Sequence, residues 1–207
     1  MDNIFTNHFY INLDKRVDRR IAVEKELLKL GITNPRRMKA IHNKNGVLGC
    51  ALSHIKCIEE AKTLDLPYVV IFEDDLEIKD EDLLKSKVIK LMDMPEWDIL
   101  LLAGNNFHPY TEYDDYIKVS RCYTTGAYIV RKHYYDKYLT NLREGVEQLI
   151  RTNRRNEFSL DVYSHKLQRE DNWFLIIPIC AGQKQDYSDI ENSVVDYSYL
   201  MYNYNKQ

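Results

Sequence analysis

Residues Tyr68 to Phe72 form a run of strand formers that stops at three consecutive carboxylates, Glu73, Asp74 and Asp75. β-Branched and aromatic side chains in such a run predict a buried strand, which cannot carry unpaired acids into its core. The acids are therefore expected at its carboxyl end. In open α/β sheets that edge is where ligands bind, and clustered carboxylate oxygens there suit a hard divalent cation such as Mn2+ or Mg2+, typically one that meets a diphosphate. The competing reading is that Asp74 or Asp75 caps a turn or a helix.

Three other segments could serve the same edge. The first predicted strand runs into Asn12, Asp14, Arg16, Arg19 and Arg20, which places several cations where a helix begins. Exposed helix N–H groups with guanidinium forks make an anion site, although a solvated face of mixed charge is the commoner fate of such a cluster. Gly49, Ser53 and His54 then bring a small residue and two hydrogen-bonding side chains to the start of a second helix. Thr124, Thr125 and Gly126 supply a later hydroxyl-bearing loop whose glycine permits close approach.

The elements that must hold these residues follow from periodicity. Phe5 to Leu13 reads as a strand, Val17 to Leu30 as a helix stopped by Gly31, and Leu48 to Leu64 as a second helix leading into the carboxylate strand. Asp80, Glu81 and Asp82 precede a periodic segment reaching Met92 and are expected to serve that helix's N-terminus. Further strands are expected at Trp97 to Leu102, Cys122 to Val130 and Phe174 to Ile179, the last strand, with a helix at His133 to Leu142. This alternation predicts an α/β domain with a mostly parallel sheet flanked by helices. Residues 103 to 120 and the final thirty residues are less periodic and read as site loops or a tail.

The 207 residues fit one domain, with a tyrosine-rich tail from about residue 191. A net charge of −3 gives no case for nucleic acid or an anionic membrane as the main partner. No apolar run reaches the roughly 18 to 20 residues of a membrane span, and the N-terminus has no signal-peptide pattern. A soluble, cytoplasmic protein is expected. Cys50 and Cys57, about 10 Å apart along one helix, are too distant for a disulfide. Cys122 and Cys180 stand alone, and reduced thiols follow.

The order of the pieces resembles glycosyltransferase family 25, which includes lipopolysaccharide-type sugar transferases and collagen hydroxylysine glycosyltransferases. The resemblance is carried by Ile11-Asn12-Leu13-Asp14 with Arg19-Arg20, Gly49 through His54, Glu73-Asp74-Asp75, and Trp97-Asp98-Ile99-Leu100. It continues with Thr125-Gly126-Ala127-Tyr128, Asp161 and Ser188-Asp189-Ile190. It implies a GT-A type nucleotide-sugar-binding fold and an inverting transfer of a hexose, galactose or glucose, from a UDP-sugar. On this resemblance Asn12, Asp14, Arg16, Arg19, Arg20, Ser53, His54, Glu73, Asp74, Thr125 and Gly126 would serve the donor. Asp75, with Asp74 and Glu73, would hold Mn2+ as Lewis acid and template. Asp161 would be the base that takes the acceptor proton, against the alternative of a helix cap for Val162 to Leu167. His165 is expected to be exposed on that helix.

One departure stands out. Collagen-type relatives have a histidine near the last strand that looks like a third metal ligand, whereas Pro178 to Gln183 here contains none; Gln183 resembles the glutamine of the bacterial branch and on that resemblance would join Asp75, Asp74 and Glu73 at the metal. Cys180 is expected to pack. The acceptor is expected to be either a glycan saccharide or hydroxylysine of a collagen-like protein, with Asp114 and Asp115 as a weak attractor for the latter. Asn105, Thr124 and Thr125 are candidates for reading the sugar. The competing functions are a metal-dependent phosphoester hydrolase, with Asp98 and Asp161 as added acids, and a non-catalytic sugar-nucleotide-binding module. The tyrosine-rich tail would suit a contact between copies of the chain.

Overall fold

The computed structural model describes residues 3–191 and 193–206. The chain opens with β1 (His8–Asn12), α1 (Val17–Lys29), β2 (Arg37–Lys39), α2 (Gly46–Thr63), β3 (Tyr68–Glu73), β4 (Leu76–Ile78) and α3 (Glu81–Met92). Local chemistry sets these boundaries. Gly31, at φ +76°, follows the end of α1. The Asn45 side chain accepts the Leu48 N–H at 3.3 Å, so α2 starts two residues before the expected Leu48. Asp80 caps α3 through the Leu83 N–H at 2.9 Å, with Glu81 and Asp82 in its first turn, as expected.

There follow β5 (Ile99–Asn106), β6 (Thr111–Glu112), β7 (Tyr116–Lys118), β8 (Cys122–Arg131), a 3₁₀ turn over Lys132–Tyr134, and α4 (Tyr135–Thr152). The chain continues through α5 (Arg155–Phe158), α6 (Leu160–Tyr163), α7 (His165–Glu170), β9 (Trp173–Ile176), β10 (Ala181–Gln183), β11 (Asp186–Ser188), β12 (Ser193–Val195) and α8 (Ser198–Met201). Eight strands form one sheet in the order β2-β1-β3-β8-β5-β9-β7-β6. Its strands point mostly the same way, with β8 and β7 reversed.

Alternation along β3 divides the core. Val69 and Ile71 pack with Ile55, Ile58, Tyr138 and Leu142 of α2 and α4. Val70 and Phe72 pack on the other face with Val23, Leu27, Val88 and Leu91 of α1 and α3. Both faces of the sheet are thus covered by helices, the arrangement expected from the sequence.

Several boundaries differ from the sequence reading. The strand expected at Trp97 to Leu102 starts at Ile99 and runs to Asn106, because Asn105 and Asn106 are buried although polar. The helix expected to stop at Leu142 continues to Thr152, where Asn153 ends it in the left-handed conformation. Residues 103 to 120 contain the β6–β7 hairpin on the sheet edge. Phe174 to Ile179 shortens to β9 and is not the last strand, since the final residues form β10, β11, β12 and α8. The tail packs on the domain through fully buried Met201 and through Tyr202 and Tyr204, whose hydroxyls reach Glu77 and Glu112 at 3.3 and 3.0 Å. All four cysteines are free. No helix of the described residues is long and apolar enough to cross a membrane.

Candidate active site

Sheet direction brings distant residues to one edge. β1, β3 and β5 run the same way and end there in Asn12, Glu73 and Asn106. Reversed β8 pairs Ala127 with Phe72, so Thr125 and Thr124 lie beyond the end of β3. β10 pairs antiparallel with β4, and the partnership of Gln183 with Leu76 sets Gln183 beside Asp75. A cavity of about 780 Å3 opens at this edge. It is lined by Asn12, Arg16, Arg19, Ser53, His54, Glu73, Asp74, Asp75, Thr125, Asp161 and Gln183, all anticipated from sequence.

Three anticipated residues lie outside it. Asp14 turns outward to Arg37 and Lys39, at 2.8 and 2.5 Å. Arg20 is half-exposed and pairs with Glu24 at 3.1 Å, because helical spacing carries it off the face shared by Arg16 and Arg19. Gly126 lies beneath Gln183, where an added Cβ would make only ordinary contact at 3.5 Å.

The three carboxylates have different surroundings. Asp74 is engaged on both oxygens, accepting from Asn12 Nδ2 at 2.7 Å and Arg19 Nη1 at 2.9 Å. Burial still pushes its carboxyl up. Glu73 Oε1 lies 3.0 Å from His54 Nε2, and its Oε2 is 3.4 Å from Gln183 Nε2. Burial would raise the Glu73 carboxyl, but the bond and charge of His54 outweigh it and the group is held below its ordinary value. Asp75 has only long contacts, to Arg19 at 3.4 Å and Gln183 at 3.5 Å. Burial and the neighbouring Glu73 push Asp75 up to about 7. Of the three, Asp75 has the oxygens most available to a ligand.

Behind Glu73 stands a buried relay. An ionised Glu73 can only accept, so His54 Nε2 donates to it, and His54 Nδ1 shares a hydrogen bond of 2.7 Å with the Tyr128 hydroxyl. Ser53 is also fully buried; its hydroxyl donates to the Gly49 carbonyl at 2.7 Å and accepts the Ile41 N–H at 2.8 Å. Ser53 and His54 therefore shape the wall. Ligand atoms of Cys50, His54 and Glu73 lie within 4.8 Å of one another, a spacing that could hold a metal. Burial and the charge of Glu73 push the Cys50 thiol well up, which opposes the thiolate that ligation requires.

The expected anion site at the start of α1 is filled by the chain itself. Arg16 binds Asp18, Asp186 and Asp189, at 2.8 to 2.9 Å, and Arg19 binds Asp186 at 2.9 Å as well as Asp74. The β11–β12 hairpin is thereby clasped over this side of the cavity.

Across the cavity, Asp161 Oδ1 accepts from Ser159 Oγ at 2.7 Å and the Val162 N–H at 2.9 Å, while Oδ2 accepts the Thr124 N–H at 3.2 Å. It sits in the first turn of α6, with Ser159 as the preceding cap residue. Oδ2, with a single long bond, retains capacity for a proton. Thr124 has φ +59°, a costly conformation for a β-branched residue, and Asp161 holds its amide. His165 is buried, not exposed, and packs edge-on against Tyr123 at 4.7 Å.

Asp98 lies at the opposite end of β5, bound by His133 at 2.8 Å and by the Asn172 N–H at 2.9 Å, and cannot join a metal site here. Asp115 is paired with Lys87 and Lys90, away from the cavity. Cys180 is buried, as expected. The sequence reading missed Phe107, Arg121, Tyr123 and Lys184, which also line the cavity. Phe107, Arg121 and Lys184 fall outside the periodic segments and Tyr123 at the start of the strand expected from Cys122, and only pairing of β5 with β8 and of β10 with β4 brings them in.

A family model described as glycosyltransferase family 25 (LPS biosynthesis protein) matches residues 44–154, more than half of the chain. No curated protein matches. Among solved structures, a glycosyltransferase involved in glycosylation of the major capsid of PBCV-1 superposes with a TM-score of 0.52 at 13% identity, covering 89% of this chain and 96% of that one. A nucleoside-diphosphate-sugar pyrophosphorylase from Vibrio cholerae RC9 gives 0.44 at 18% identity, over 82% and 72% of the two chains. A Drosophila beta-1,4-galactosyltransferase 7 mutant, in complex with manganese, UDP-Gal and xylobiose, gives 0.36 at 15% identity, over 64% and 52%. At these identities such likenesses bear on fold alone, and the two scores below 0.5 carry no weight.

Proposed function

From the premise that this chain belongs to glycosyltransferase family 25, and is a glycosyltransferase, we propose that it moves a hexose from a UDP-sugar to a hydroxyl acceptor with inversion. The observation that carries this reading is the crowding of Glu73, Asp74 and Asp75 at one end of a cavity large enough for a nucleotide sugar, which drives Asp75 to about 7. A divalent cation would relieve that crowding, and the oxygen-rich donor set fits Mn2+ or Mg2+. Asp75 would hold the cation, with Glu73 and Asp74 supporting it. When bound, the metal offsets negative charge on the diphosphate leaving group.

The protein's own groups do the rest. His54 and Tyr128 fix the orientation of Glu73, and Asn12 with Arg19 fixes Asp74. Gln183, as oriented, directs its Nε2 to Glu73 and Asp75 and so bridges two carboxylates as a donor. Asp161 Oδ2 takes the proton of the acceptor hydroxyl as that oxygen attacks the anomeric carbon, and the bond from that carbon to UDP breaks with its electrons leaving on the diphosphate. The phosphoester hydrolase alternative has less support. Asp98 is remote, and Asp189 and Glu191 in the cavity wall are paired with Arg16 and Arg155.

Thermal unfolding with a panel of UDP-sugars, with and without Mn2+, tests the reading. A metal-dependent rise in Tm for one sugar, absent in Asp75→Asn, is expected, since a ligand bound only by the folded state stabilises according to its concentration over Kd. No rise with any UDP compound would overturn the UDP-sugar assignment.

A further inference from the structure

The side of the cavity that holds Asp161 has a composition of its own. Asn105 is only 8% exposed and lines the cavity, yet its Oδ1 has no hydrogen-bond partner among the described residues. That oxygen is itself closed off from the cavity, and a buried carbonyl oxygen left without a donor is costly. Asn105 pairs with Tyr123 across β5 and β8, and Tyr123 precedes the Thr124 whose amide is held by Asp161. The unpartnered oxygen is therefore on the proton-accepting side of the site.

Beside it lies a cation without a counter-ion. Arg121 lines the same cavity, and no carboxylate of the described residues lies within salt-bridge distance of it. Arg16 and Arg19, by contrast, are filled by acids. The Arg121 guanidinium lies 5.2 Å from the centre of the Phe107 ring, and the backbone of Phe107 donates to the Arg121 carbonyl at 3.0 Å. Lys206 sits 4.9 Å from the same ring, bound to the carbonyls of Leu200 and Asn203. Two positive charges thus gather around one ring on the acceptor side, and the ring holds the guanidinium near the cavity.

We propose that the acceptor is an anionic saccharide, whose carboxylate or phosphate is bound by Arg121. A planar guanidinium matches either anion with paired hydrogen bonds. This deepens the glycosyltransferase reading by naming the acceptor class, and it disfavours a cationic hydroxylysine peptide, which these charges would repel.

Ligand-observed NMR titration tests this without any need for turnover. Methyl glucuronoside, methyl galacturonoside and methyl glucoside 6-phosphate are compared with methyl glucoside and methyl galactoside, on wild type, Arg121→Gln, Arg121→Lys and Asn105→Ala. At least one anionic glycoside is expected to bind about tenfold more tightly than its neutral counterpart. That preference should vanish in Arg121→Gln and persist in part in Arg121→Lys, while Asn105→Ala should leave it in place. The uronosides against the phosphate identify the source of the anion. Equal binding of charged and neutral glycosides, no binding of any anionic one, or a preference that survives Arg121→Gln would each overturn the proposal. UDP with Mn2+ is titrated in parallel: its failure to bind would count against the donor reading and leave the Arg121 comparison intact.

Discussion

Asp161 and Asp75 face one cavity with different demands. Asp161 accepts three hydrogen bonds, two on Oδ1 and a long one on Oδ2, which fixes the carboxylate and leaves Oδ2 able to take a proton. Asp161→Asn keeps the oxygen facing Ser159 and Val162 but removes the basic one. Transfer should fall about 100- to 10,000-fold, the usual contribution of a positioned base, with little change in Tm. Transfer within a few-fold of wild type would remove Asp161 from that role. Asp75 was legible in the sequence because carboxylates after a strand run are unusual, whereas Asp161 was reached only through the family resemblance. Arg121 was not legible, because a single arginine in an aperiodic loop gives no sign of what it faces.

At the scale of elements, the close approach of α2 to the loop before it shapes one cavity wall. A Cβ on Gly49 would come within 2.5 Å of the Ile41 carbonyl, a backbone atom that cannot move aside cheaply. The Ser53 hydroxyl ties the same loop to the helix through the Ile41 N–H. Gly49→Ala should therefore destabilise by about 1–3 kcal/mol, and thermal unfolding should show a Tm lower by several degrees. An unchanged Tm would mean that the loop yields freely and does not set the wall. The sequence pointed to Gly49, Ser53 and His54 as a group, and in the structure the Ser53 and His54 side chains are fully buried in hydrogen bonds to the protein itself. Helical spacing explains this: both side chains turn inward, Ser53 to Ile41 and His54 to Tyr128 and Glu73.

For the whole molecule, the crowded acids link stability to pH. The folded chain holds the Asp75 proton up to about 7, against an ordinary value of 3.8. Over that interval the folded state binds more protons than the unfolded state, so the metal-free protein should lose stability as pH rises through it. Asp75→Asn should flatten the slope, and Mn2+ should raise Tm more at about pH 7 than at about pH 5, where protons compete with the metal. Thermal scans across this range that show the same slope in wild type and variant would remove Asp75 as its source. The sequence by itself determined the alternation of strand and helix, the two faces of the core and the presence of the acids at the end of β3, because periodicity and the cost of burying charge are local rules. Only the tertiary structure decided that Arg16 and Arg19 are filled by the acids of the β11–β12 hairpin, that Gln183 bridges Glu73 and Asp75, and that Asn105 and Arg121 share a wall with Asp161. Those juxtapositions depend on strand order and register between segments far apart in the chain, which no local pattern encodes.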